Sequence, residues 1–192
     1  MTSITLLSVA ALGVGASLST STAAGQAAGQ KPIVVLDTSE GPITIELYPD
    51  KAPSTVENFL SYVDEKFYDN LIFHRVIPGF MIQGGGMTDQ MEEKPAHAPI
   101  KNESRNSISN ERGTISMART NNPDSATCQF FINHKDNKSL DSYGGGYCAF
   151  GKVIDGMDVV DKIANVATTT KAGHENVPVK PVYIKSARRK TK

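Results

Sequence analysis

FHRVIPGFMIQGGG, residues 73–86, sets two short apolar runs around a Pro-Gly turn and places a permanent cation, Arg75, in the first. Leu71 to Ile77 and Phe80 to Gln83 read as strands, punctuated by Pro78-Gly79. A buried or half-buried guanidinium is costly unless something specific uses it. Such a cation beside Phe80, Met81 and Gln83 suits a ligand that joins an apolar ring to a polar backbone. The glycines at 84–86 read as a tight turn; a phosphate loop would need a following helix with a Lys-Ser/Thr pair.

The pattern on either side is of the same kind. Ile33 to Leu36 and Ile43 to Leu47 are apolar runs joined by the polar residues 37–41, which predicts a hairpin. In the second run Ile43, Ile45 and Leu47 face one way, Thr44 and Glu46 the other. Pro53 opens a helix that ends near Lys66, and Val56, Phe59, Leu60 and Val63 form its apolar stripe. Residues 87–111 read as a long surface loop. Gly113 to Ala118, Gln129 to Ile132, Tyr147 to Val153 and Val179 to Ala187 read as further strands. Met157 to Ile163 reads as a short helix, Ser139 to Gly146 as a Gly-rich loop, and Arg188, Arg189 and Lys190 as a solvated tail. Many short strands with two helices far apart predict a mainly β domain, an antiparallel barrel covered by helices rather than βαβ repeats.

Composition narrows the function. In 192 residues, 20 basic side chains balance 20 acidic ones, which argues against a nucleic-acid partner or a polybasic membrane surface. Ile4 to Leu18 is apolar and small, no charged side chain precedes Lys31, and Thr22-Ala23-Ala24 offers a cleavage site. The expected organisation is a signal peptide at 1–24, a flexible leader at 25–31, the folded domain at 32–188 and a basic tail at 189–192. An exported, periplasmic or secreted product follows, with no stable membrane insertion once the signal is removed. The two cysteines, Cys128 and Cys148, read as small buried residues. The four histidines lack metal-ligand spacing, so no metal site is expected.

Three blocks carry a resemblance: FHRVIPGFMIQGGG at 73–86, GTISMAR at 113–119 with SATCQFFIN at 125–133, and YCAFGKVIDGMDVVDKI at 147–163. In this order they resemble the cyclophilin family of peptidyl-prolyl cis-trans isomerases, from about Ile33 to Ala187, and most of all its bacterial exported members. The resemblance implies a closed eight-stranded antiparallel β-barrel capped by two α-helices, with the substrate groove on its outer face. It implies that Arg75 is the catalytic donor and that Phe80, Met81, Phe131 and Leu140 form the proline pocket. Gln83 would bond the substrate's carbonyl side, the Arg119 backbone would pair with the residue before proline, Ala118 would line the next subsite, and Gln129 would support the floor. Alternation alone leaves open which of Phe130 and Phe131 faces the groove.

Tyr147 stands where eukaryotic members often carry His, and it is kept as a site residue. Ser139 stands where many carry Trp, and the chain has no Trp at all; weak cyclosporin binding is the expectation. The resemblance implies no cofactor, proline-containing peptides and unfolded protein clients as partners, and a monomer. A proline-segment-binding chaperone module with incidental catalysis is the alternative.

Overall fold

The computed structural model describes residues 31–190; the expected signal segment, the leader up to Gln30 and the last two residues of the tail lie outside them. The strands are β1 (Ile33–Thr38), β2 (Gly41–Leu47), β3 (Leu71–Ile77), β4 (Met81–Gly84), β5 (Thr114–Met117), β6 (Phe130–Asn133), β7 (Ala149–Asp155), β8 (Thr168–Lys171), β9 (His174–Pro178) and β10 (Tyr183–Arg189). The helices are α1 (Pro53–Asp64) and α2 (Met157–Ala164). Eight strands close into an antiparallel barrel in the order β1-β10-β3-β4-β6-β5-β7-β2, and β8 pairs with β9 as a separate hairpin. The expected barrel with two helices is therefore present.

Alternation fills the barrel. Ile43, Ile45 and Leu47 of β2, Ile82 of β4, Ile115 of β5 and Ile132 of β6 are all completely buried in one core. The α1 stripe packs onto that core, where the Phe59 ring meets Phe130 edge-on at 5.6 Å and Phe150 at a tilt of 56°, 5.3 Å away. Edge-to-face aromatic pairs of this spacing add to their area burial. The first residues of α1 lack a local cap, since Ala52 precedes Pro53 and offers no side-chain acceptor. Glu103, from the long loop, takes that place. Its carboxylate accepts the backbone N–H of Ser54 at 3.2 Å and of Thr55 at 2.8 Å, and the Thr55 hydroxyl at 2.6 Å. A negative group at a helix N-terminus also complements the dipole.

The β8–β9 hairpin leaves no mark in the sequence pattern, because β8 is four exposed residues, Thr-Thr-Thr-Lys, with no apolar face. Three expectations are corrected. The last strand starts at Tyr183, not Val179, since the chain between Pro178 and Pro181 leaves the ladder. Arg188 and Arg189 are not a free solvated tail: both belong to β10, and they pair with Asp69 at 2.5 Å and Asp64 at 2.5 Å. The Gly-rich stretch is also more regular than a loop, holding two 3-10 turns at Lys138–Asp141 and Tyr143–Gly145. Cys128 and Cys148 are buried and unpaired. No helix among the described residues is long and apolar enough to cross a membrane.

Candidate active site

One row of side chains crosses the outside of the barrel. The registers pair Arg75 of β3 with Gln83 of β4, Gln83 with Phe131 of β6, and Phe131 with Ser116 of β5. The next row, Val76, Ile82, Ile132 and Ile115, points inward. Phe130 is completely buried in the core and Phe131 lines the outer cavity, which resolves the pair that alternation left open.

Arg75 owes its direction to a bulge. Phe73 and Val76 both fill the core, although they are three residues apart. Strict alternation from Phe73 would turn Arg75 inward. The register slips between Phe73 and Arg75, so two residues of β3, His74 and Arg75, stand against a single step of β4. Both then lie outside the core, beside Gln83. Burial, and secondarily the charge of His174, pushes the His74 imidazole down to about 4, so it is neutral at physiological pH.

The Arg75 side chain is exposed, not half-buried as its apolar neighbours in sequence suggest, and its guanidinium is held without being neutralised. Arg75 Nη1 donates to Gln83 Oε1 at 3.5 Å, Gln83 Nε2 to Gln129 Oε1 at 3.0 Å, and Gln129 Nε2 to Glu93 Oε1 at 3.4 Å. Two amides thus stand between the cation and the carboxylate. Among the described residues Arg75 makes no ion pair, and one of its five donors has a protein partner. The side chain lines the groove and is exposed to solvent.

Beside it lies a cavity whose walls are Arg75, Phe80, Met81, Gln83, Ala118, Arg119, Phe131, Leu140 and Tyr147. Nine of the ten residues picked out in the sequence thus meet at one place. The tenth, Gln129, stands next to it, in the amide chain and in an adjoining pocket with Glu93, Thr120, Ser125 and Thr127. Phe131 and Tyr147 meet edge-on with ring centroids 5.8 Å apart. Phe80 is fixed through its carbonyl, which accepts the His134 N–H at 2.9 Å and the Asn137 amide at 2.8 Å. Past β5, the Ala118 N–H bonds the Gln129 carbonyl, whereas the backbone N–H and C=O of Arg119 have no partner among the described residues. That leaves a short stretch of free backbone along the cavity. His74 and Glu93 were missed by the sequence reading. The three-residue spacing of Phe73 and Val76 was the available signal for the first, and Glu93 had none.

The chain as a whole is similar to proteins of one family. The family model described as cyclophilin type peptidyl-prolyl cis-trans isomerase/CLD matches residues 33–189. A peptidyl-prolyl cis-trans isomerase of Acinetobacter baylyi is 58% identical over 161 residues, covering 83% of this chain and 86% of that one. Peptidyl-prolyl cis-trans isomerase B of Escherichia coli is 54% identical over 159 residues, covering 80% and 97%. Among solved structures, a cyclophilin-type peptidyl-prolyl cis-trans isomerase of Cryptosporidium parvum superposes with a TM-score of 0.72 at 26% identity, over 84% of this chain and 99% of that one.

Proposed function

Because the chain belongs to the cyclophilin-type peptidyl-prolyl cis-trans isomerases, we propose that Arg75 is its catalytic donor and that the prolyl ring lodges in the cavity beside it. The enzyme isomerises Xaa-Pro peptide bonds, and proline-containing peptides are its ligands.

The bond resists rotation by about 18–20 kcal/mol because the nitrogen shares its lone pair with the carbonyl. At the half-turned transition state conjugation is lost, and the nitrogen lone pair becomes a hydrogen-bond acceptor. A donor aimed there bonds the transition state and hardly touches either planar ground state, which is the differential binding that speeds a step. Arg75 suits this role because it stays protonated and presents fixed, unoccupied N–H groups. Met81, Phe131 and Leu140 offer the ring an apolar wall. The free backbone at Arg119 pairs with the residue before proline, and Gln83 bonds the substrate's carbonyl side. One side of the bond is thereby held while the other turns.

The observation that carries this reading is the unneutralised guanidinium at the edge of an apolar cavity. The test is an isotope-labelled titration with a proline-containing peptide. Amide shifts should centre on Arg75, Gln83, Ala118, Arg119, Phe131 and Tyr147; shifts centred elsewhere on the barrel overturn the placement. The service we assign to the activity is the folding of exported proteins, by a monomer acting in the periplasm or outside the cell. The apolar stretch Ile4 to Leu18 and the small residues at 22–24 support export. Mass spectrometry of the protein recovered from outside the cytoplasm checks it; a mature chain that keeps residues 1–24 and stays in the cytoplasm refutes it.

A further inference from the structure

We infer that the Arg119 side chain is a positioning residue that straps down the far wall of the proline pocket. This rests on the reading above, that the cavity takes the prolyl ring. The substrate contact assigned to Arg119 uses its backbone; its guanidinium has a separate set of partners. Nη2 donates to the carbonyls of Gly144 at 2.9 Å, Gly146 at 3.0 Å and Tyr143 at 3.2 Å. Nε donates to Gly146 at 3.2 Å, and Nη1 to the Thr120 carbonyl at 2.9 Å. Every acceptor is a backbone oxygen.

The glycines make that convergence feasible. Gly144, Gly145 and Gly146 have φ of +57°, +93° and +85°, a left-handed run that side chains rarely tolerate. It turns the carbonyls of 143, 144 and 146 toward one planar fork. A Cβ on Gly144 would sit 3.4 Å from Nη2, and one on Gly146 only 2.7 Å from the Asp141 carbonyl. The same guanidinium lies over the Tyr147 ring, 4.1 Å from its centroid, a cation–π distance. Tyr147 in turn bonds back to the Leu140 carbonyl through its N–H at 2.9 Å and meets Phe131 edge-on. Loop, Tyr147 and Leu140 are thus one unit, and Arg119 joins it to the chain leaving β5.

Asn102 and Ser104 hold the other side of the loop, donating to the carbonyls of Gly145 and Gly146 at 2.8–3.4 Å. Without the strap the carbonyls of Tyr143 and Gly144 lose their side-chain partner, and substrate binding would have to order that half of the wall. The bond-turning donor, Arg75, would be untouched. The cost should therefore fall on KM rather than kcat.

The test compares Arg119→Ala, Arg119→Lys and Arg75→Ala in the full chain, by steady-state kinetics on a prolyl peptide and by amide hydrogen exchange. We expect both position-119 variants to raise KM about tenfold with kcat within about threefold of the parent. Amides of Gly145, Gly146 and Tyr147 should exchange at least about tenfold faster, with those of Ile115 and Ile132 unchanged. Lysine should fail to rescue, because a compact ammonium cannot span the carbonyls. A parental KM in Arg119→Lys would mean that charge alone matters and overturns the strap. Faster loop exchange with an unchanged KM overturns its link to the pocket. Accelerated exchange across Ile115 and Ile132 would make the residue merely structural and also overturn it. Undiminished turnover in Arg75→Ala would instead overturn the groove reading, and with it the identity of the wall.

Discussion

Replacing Arg75 by Ala should separate catalysis from folding almost completely. The side chain is exposed, has no carboxylate partner among the described residues, and touches Gln83 only at 3.5 Å. Such a surface change costs within about 0.5 kcal/mol, which shifts the melting midpoint of a chain this size by about 1–2 °C. The kinetic cost is far larger. Uncatalysed exchange takes tens to hundreds of seconds, so turnover in milliseconds requires about 10⁵-fold acceleration, or about 7 kcal/mol. One charge-assisted hydrogen bond supplies about 1.5–3 kcal/mol net, and a preorganised donor in a catalytic site about 2.7–4 kcal/mol. Taking about 2–4 kcal/mol for Arg75, kcat should fall about 30- to 900-fold. The remainder belongs to desolvation and to holding the substrate in place. Because the bond exists only in the twisted state, the peptide Kd should change less than about threefold. Exchange spectroscopy on a prolyl peptide gives the rate, and titration gives Kd. Turnover within about threefold of the parent, with peptide binding weakened tenfold, would refute this reasoning and favour a proline-binding module.

Three further outcomes follow from the same structure. Glu103→Ala removes the only side-chain acceptor at the start of α1 among the described residues, so it should cost about 1–2 kcal/mol and lower the melting midpoint by about 2–8 °C; an unchanged midpoint would show that the helix gains nothing from it. His74 titrates near 6.5 in the unfolded chain but near 4 when folded, because burial disfavours its charged form. Stability is therefore full above pH 6.5 and falls as the pH drops toward 4, with a slope of up to about 1.4 kcal/mol per pH unit. Urea midpoints across that window should decline, and less steeply in His74→Gln; parallel profiles would show that the imidazole is not responsible. Finally, with Ser139 exposed at the pocket's edge and no Trp in the chain, cyclosporin should inhibit weakly, and inhibition at low nanomolar concentration would contradict this.

The barrel was legible because its strands are short apolar runs bounded by turn residues, Ile43 to Leu47 with a period of two, and because α1 carries an apolar stripe; local spacing reports such features directly. All the pocket residues but Leu140 were legible in three short blocks, none of which needs long-range knowledge; Leu140 lies between two of them and followed from the resemblance alone. What escaped the reading depends on partners far along the chain. Glu103 caps residues 48 and 49 positions earlier, and Arg188 meets Asp69 from 119 positions away. No local pattern marks either pairing. The β8–β9 hairpin escaped for the opposite reason: its first strand has no buried face, so no periodicity exists to detect. Arg119 was read for its backbone alone, since nothing near it announced that carbonyls of residues 143–146 would gather on its side chain.

The bulge at His74 has a consequence for how this strand tolerates change. Inward and outward positions along β3 work like a reading frame, and losing one residue would normally invert everything downstream of the gap. Residue 74 is the surplus letter in that frame. Excising it should leave Phe73 and Val76 packed as before and Arg75 still turned to the groove, on a straighter strand. A deletion there and a substitution there would thus report on different things, the first on the kink itself and the second on the imidazole that the kink makes room for.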